Sequence, residues 1–394
     1  MSLHPSLGAV PGRRIVALVG AAACAVGVSF AASPSASASA PSTAPAAAHP
    51  RIGTVKVVAS GLDNPRGLAF VGGHLYVAEA GHGGSLCIPG GPGEGEMCAG
   101  LTSGVSVVSH GKHHRVLDHM ISLADKDGTA AEGVVAVAGH HGRLFAQIGA
   151  NSRALPPNAP SGAVVAAAKR ELGRTIAVGR HGSWWPLAST GNADYDWTAA
   201  HKYLQPDQFP DANPNGLVGR GRYVYVADAG ANLLARVGRH GHVTTLAYFP
   251  VPKGSPTDAV PTCVANAPDG SLYVGELLGG NFTPGHARVW QVWPNGKHKV
   301  KWTGFTTIQG CGFDHRGNFY VTEFQTHGLG AKDPHGAVVQ IRPNGHRTTF
   351  GADALFTPSG FAYAHGKVYV SNWSIQPATS SSGPTGQVVS ITVS

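Results

Sequence analysis

The stretch Cys263-Val-Ala-Asn-Ala-Pro-Asp-Gly-Ser-Leu-Tyr-Val-Gly-Glu276 decides the fold. A short apolar run meets a Pro-Asp-Gly turn, and an aromatic-Val strand follows that ends on an acid. Gly in such a turn adopts the positive φ that a tight hairpin needs, so two antiparallel strands are expected. The pattern recurs along the chain. Gly67-Leu-Ala-Phe70 precedes Leu75-Tyr-Val-Ala-Glu79, Gly133-Val-Val-Ala-Val137 precedes Leu144-Phe-Ala-Gln147, and Gly216-Leu-Val218 precedes Tyr223-Val-Tyr-Val-Ala-Asp228. Later copies are Cys311-Gly-Phe-Asp314 with Phe319-Tyr-Val-Thr-Glu323, and Gly360-Phe-Ala-Tyr363 with Val368-Tyr-Val-Ser-Asn372. Repetition at roughly 40–50 residues signals an array of identical sheet units, most often a β-propeller.

Each copy extends to a four-stranded meander, as in Ala287–Trp293 and His298–Thr303 after the quoted stretch. The last copy ends with Gln387–Val393, one strand short. An extra strand, Thr54-Val-Lys-Val-Val-Ala59, stands ahead of the first copy. Placing it on the outer edge of the last blade closes the ring and fills the missing edge. The expectation is an all-β, six-bladed β-propeller with four-stranded blades, the N-terminal strand completing the last blade. The first two copies carry insertions. One is the Gly/Pro-rich loop between Cys87 and Cys98; the other runs from about 183 to 214 and holds Trp184, Trp185, Asp194, Tyr195, Asp196, Trp197 and Tyr203. Long insertions on a rigid repeat scaffold form a binding face or plug one end of the channel.

The start reads as a leader: Arg13 and Arg14, an apolar run Ile15–Phe30, then small residues to Ala40. Residues 1–40 are therefore expected to be a signal peptide, 41–51 a disordered Ala/Ser/Pro tether, and 52–394 the propeller. No second long apolar run exists, so a secreted, extracellular protein without a transmembrane segment is expected. The 394 residues carry a net charge of +8, but the basic residues are scattered, which argues against a nucleic-acid partner. Four cysteines remain after the leader. Cys87 and Cys98 bracket their loop and are expected to pair in an oxidising compartment. Cys263 and Cys311 occupy similar places in neighbouring copies; a disulfide between blades and two buried thiols are both open.

In a propeller the first strand of each blade lines the channel, and its start lies beside the end of the second strand. Arg66, Glu132, Asn215, Thr262, Gln309 and Ser359 should form one ring; Glu79, Ile148, Asp228, Glu276, Glu323 and Asn372 a second. Nearly all are polar, which predicts a hydrated mouth. Arg66, Glu79, Glu276, Glu323 and Asn372 are the candidate ligand-binding residues. Glu132, Asn215 and Asp228 are candidate ligands for Ca²⁺, which prefers carboxylate and amide oxygens. The competing reading has Arg66 paired with Glu79 and the acids accepting backbone N–H groups.

The motifs together resemble the ScyD/ScyE family of exported bacterial propeller proteins. The resemblance runs from about residue 55 to the C-terminus, through Gly61-Leu-Asp-Asn-Pro-Arg-Gly-Leu68, Leu75-Tyr-Val-Ala-Glu-Ala-Gly81 with its cysteine loop, Asn213-Pro-Asn-Gly216, Val226-Ala-Asp-Ala-Gly-Ala-Asn-Leu-Leu234 and Tyr369-Val-Ser-Asn372. It implies an extracytoplasmic six-bladed propeller and no settled activity. Two functions stand beside it: a binding or scaffold module that takes a small molecule, glycan or protein at the channel mouth, and a calcium-dependent hydrolase of lactones or esters. A Gly-x-Ser-x-Gly nucleophile elbow is absent from the sequence.

Overall fold

A computed structural model describes residues 52–393, apart from 89–94, 156, 158, 160, 252–257, 281, 329–330 and 379–384. The leader and tether lie outside the described residues. Six antiparallel sheets form the blades. The quoted stretch opens blade 4, whose strands are Pro261–Asn266, Leu272–Glu276, Ala287–Val292 and His298–Phe305. Blades 3 and 5 repeat the meander from Pro214–Arg220 and Ile308–Phe313. In blade 6, Phe361–Ala364 and Lys367–Asn372 are followed by Gly386–Thr392, and the outer strand is Val55–Leu62 from the other end of the chain. Val55 stands opposite Ile391 and Val57 opposite Val389 in an antiparallel ladder, so the expected closure is present.

The core lies between blades because strand side chains alternate between faces. Val226 and Ala235 pack towards blade 2, whereas Tyr225 and Leu234 on the same strands pack towards blade 4. The aromatic-Val signature thus faces both neighbours at once. At the axis the inner strands crowd together. A Cβ on Gly216 would stand 2.8 Å from Cys263 Cα, and one on Gly360 2.9 Å from Gly67 Cα, which explains glycine at these positions.

Both cysteine pairs are disulfides. Cys87–Cys98 ties the short strand Leu86–Ile88 to Met97–Ser109, the third strand of blade 1. Cys263–Cys311 joins the inner strands of blades 4 and 5. Adjacent blades share side-chain packing rather than a ladder, so this is a covalent staple across a non-covalent seam. Replacing Cys263 and Cys311 together with Ala releases a 48-residue separation. The loop-entropy cost is about 4 kcal/mol, to be read as a lowered urea midpoint against wild type. An unchanged midpoint would contradict the staple.

Blade 2 departs most from the all-β expectation. Between Arg143–Ile148 and Thr175–Val178 it carries helix α1 (Ala163–Glu171). Its outer strand Trp184–Ala188 runs directly into helix α2 (Thr190–Ala200). Val165, Ala167 and Ala168 of α1 are buried, and Ala168 belongs to the core between blades 1 and 2. The buried face of α2 is instead Gly191, Asp194 and Thr198, a small and polar stripe.

Candidate functional site

The second-ring side chains are buried rather than set around a hydrated mouth. Glu79, Asp228, Glu276 and Asn372 are each at most 3% exposed. The chain turns inward just past these strand ends. Ala229, Leu277 and Phe324, each next in sequence to a ring member, pack with Val260, Phe282 and Ile375 into a buried apolar cluster. The segment beyond Asn372 also reaches the entries of blades 1 and 2: Ala130 N–H donates to Ile375 O, and Asn64 N–H to Gln376 O.

Beneath this layer the ring acids are fasteners. Glu79 Oε2 accepts Asp63 N–H at 2.7 Å, Asp228 Oδ1 accepts Asn213 N–H at 2.7 Å, and Glu323 Oε1 accepts Thr306 N–H at 2.7 Å. Asn372 Oδ1 accepts Phe356 N–H at 2.7 Å. In every case the donor lies in the segment that enters the same blade, not in the adjoining one. Glu276 is tied differently, taking Arg288 Nη2 at 2.7 Å on one oxygen and Arg288 Nε at 2.7 Å on the other, with Trp290 Nε1 at 2.5 Å. Burial raises the Glu276 and Glu323 carboxyls above their ordinary range, and these bonds oppose the shift.

The first ring divides. Arg66 does not pair with Glu79, whose carboxylate holds Arg115 (Nε–Oε1 3.0 Å). Arg66 Nη2 donates to Ala131 O at 2.7 Å, and its charge acts on Glu132. Burial pushes the Glu132 carboxyl up; Arg66 and a hydrogen bond from Asn213 oppose that. Asn213 therefore touches both Glu132, through its side chain, and Asp228, through its backbone. Asn215 lies elsewhere, in the channel neck with Thr262, Gln309 and Ser359. The neck has a volume of about 60 Å³, room for a few waters and well short of the roughly 300–1,000 Å³ of organic-ligand pockets.

Two residues escape the sequence reading of the metal candidates. Asp194 of α2 and Asp211 both lie within reach of the Asp228 charge. All three are buried, and Asp194 Oδ2, Asp211 Oδ1 and Asp228 Oδ2 have no donor. Burial, aided by Asp228, pushes Asp211 up to about 8; burial pushes Asp228 up to about 6 against the N–H bonds it accepts; Asp194 is raised by burial and by Asp228. Among the described residues, no three His, Cys, Asp or Glu side chains are gathered as metal ligands. A pH dependence follows. Unfolded carboxyls release protons near pH 4, but these hold theirs to about 6 and 8 in the fold. The folded state binds more protons across that window, so stability falls as pH rises through it and levels off above. Urea midpoints should drop from pH 5 to pH 8.5, and Asp211→Asn should remove the part between 6 and 8; a midpoint rising with pH would contradict the assignment.

A cavity roomier than the neck lies away from the channel, on the flank where α2 meets blade 3. It measures about 450 Å³ and is lined by Arg153, Ser189, Asn192, Ala193 and Asp196 on one side and Gly241, His242 and Val243 on the other.

No family model matches the chain, and no curated protein matches it. Solved structures do. A protein of unknown function from Bacteroides thetaiotaomicron aligns with a TM-score of 0.51 at 10% identity, over 85% of this chain and 75% of that one. Virginiamycin B lyase from Staphylococcus aureus aligns at 0.42 and 12%, over 86% and 99%. The PQQ-bound aldose sugar dehydrogenase of Streptomyces coelicolor aligns at 0.43 and 12%, over 87% and 99%. At these identities the likeness is one of fold. The chain is a six-bladed β-propeller.

Proposed function

We propose that the protein is an exported binding or scaffold propeller of the ScyD/ScyE kind, and that its partner docks on the face built by the blade 2 insertion. The observation that carries this reading is the commitment of the ring acids. Glu79, Glu276 and Glu323 spend carboxylate oxygens on their own blades, under an apolar layer. The flank groove is larger than the neck and open to solvent. The two disulfides fit an oxidising compartment, and no helix among the described residues is long and apolar enough to cross a membrane.

A second reading has one observation in its favour. Glu132 Oε2 and Asp228 Oδ2 are buried without a donor, and Asn213 joins the two residues. Glu132 and Asp228 would offer oxygens to Ca²⁺, with Asn215 brought in from the neck. A bound Ca²⁺ would polarise a lactone or ester carbonyl. Calorimetric titration of CaCl₂ into wild type and into Glu132→Ala/Asn215→Ala, with turnover of gluconolactone and aryl esters, separates the two. The binding reading expects no turnover. Calcium-dependent turnover that the double substitution abolishes would replace it with the hydrolase.

A further inference from the structure

Helix α2 presents two kinds of surface in sequence. Around its first turns lies the flank groove, where Arg153 Nη2 meets Asp196 Oδ2 at 2.7 Å and both side chains are about half exposed. Around its last turn Trp197 stacks on His201 at 4.1 Å between ring centroids, and His201 leads on to Tyr203 at 5.9 Å. Tyr203 is 73% exposed. The helix has 11 residues and is about 16 Å long, with Tyr203 just past its end.

The strip is rigid. Thr198 Oγ1 donates to Asp211 O at 2.8 Å and Gly191 N–H to Gly173 O at 2.8 Å, which fixes the buried side of the helix. Asn192 Oδ1 accepts Ser152 N–H at 3.1 Å, which holds the segment carrying Arg153 against it. Trp197 also rests against Tyr248 of blade 3 at 5.8 Å.

The chemistry of the strip selects a ligand class. The two charges neutralise one another, so an anion meets Asp196 and a cation meets Arg153. A ligand with many neutral hydroxyls meets no such opposition. Guanidinium and carboxylate offer adjacent donors and adjacent acceptors, matching neighbouring hydroxyls, and His242 adds a ring nitrogen. Val243 and Ala193 give the groove an apolar wall for C–H faces. Tyr203, backed by the half-buried Trp197 and His201, offers flat amphipathic surface at small cost in conformational entropy. We infer that the α2 strip is a binding site for a neutral oligosaccharide, with the Arg153–Asp196 pair and His242 on the hydroxyls and Tyr203 beneath a sugar ring. This deepens the binding-module reading and rests on it.

Calorimetry with cellotetraose, xylotetraose, chitotetraose and maltotetraose tests the inference, with tetragalacturonate as the anionic comparator. At least one neutral tetrasaccharide should bind wild type. Arg153→Ala/Asp196→Ala and Tyr203→Ala should each weaken it by about tenfold or more. Lys299→Ala, on the outer strand of blade 4, should leave it unchanged. Melting curves confirm that each variant is folded, and Tyr203→Ala alone decides the matter if the double variant is not. No neutral binding, binding of tetragalacturonate only, or affinity indifferent to Tyr203→Ala would overturn the inference. Lactone turnover is scored separately, so a failure here is distinct from a failure of the binding-module reading.

Discussion

A chain that begins at residue 63 should not fold to a native ring. The missing strand, Val55–Leu62, is the outer edge of blade 6 and pairs along Gly386–Thr392. It places Ala59 and Leu62, both at most 2% exposed, in the core that joins blade 6 to blade 1 through Leu68, Leu75 and Val77. Its removal leaves Gly386–Thr392 with a bare row of N–H and C=O groups and opens the seam between first and last blades. The loss is expected to be about 5 kcal/mol or more, comparable with the whole margin of a domain. Residues 63–394 should show no cooperative melt by circular dichroism. A synthetic peptide of residues 52–62 should restore part of it. A native melt within a few degrees of the full chain would refute the closure.

Glu276→Ala carries the second large effect. Arg288 has a side chain only 12% exposed, and its guanidinium grips both Glu276 oxygens. Truncating the acid strands a buried cation and frees the Trp290 indole N–H. Breaking one half of a buried pair costs about 3–5 kcal/mol. Replacing both partners with apolar residues of similar size, Glu276→Leu with Arg288→Met, should recover most of that in urea unfolding, because the charge is no longer left alone. If Glu276→Ala is as stable as wild type, the acid is not a fastener. A residue kept for binding or catalysis, not for the fold, behaves that way or gains stability when removed.

The fold was legible because each blade repeats its hairpin phrase and the chain ends one strand short. That deficit, set against the spare strand at Thr54–Ala59, specifies ring closure before any coordinate is known. The sequence leaves the Cys263–Cys311 pairing open, because equivalent positions in neighbouring repeats imply nearness but not the approach of two sulfurs. Less of the candidate site is legible in the sequence. The polarity of the second-strand ends was clear, but not the direction in which the chain turns next, and that turn lays Leu277 and Phe324 over them. Helix α2 was missed for a physical reason. Its buried face is Gly191, Asp194 and Thr198, so it lacks the apolar stripe by which a helix is recognised. The only sign of it in the sequence is the run of aromatics and acids between Trp184 and Tyr203, which marks an insertion but not its structure.

In the proposed function the ring acids and amides serve the fold and recognition falls to the α2 face. The most direct measurement is the unfolding free energy, without added cation, of Glu323→Ala and Asn372→Ala. Each removes the acceptor of one buried N–H, from Thr306 or from Phe356. Each should cost about 1–3 kcal/mol. Unchanged or increased stability in both would contradict a fold role and leave these residues as ligand contacts.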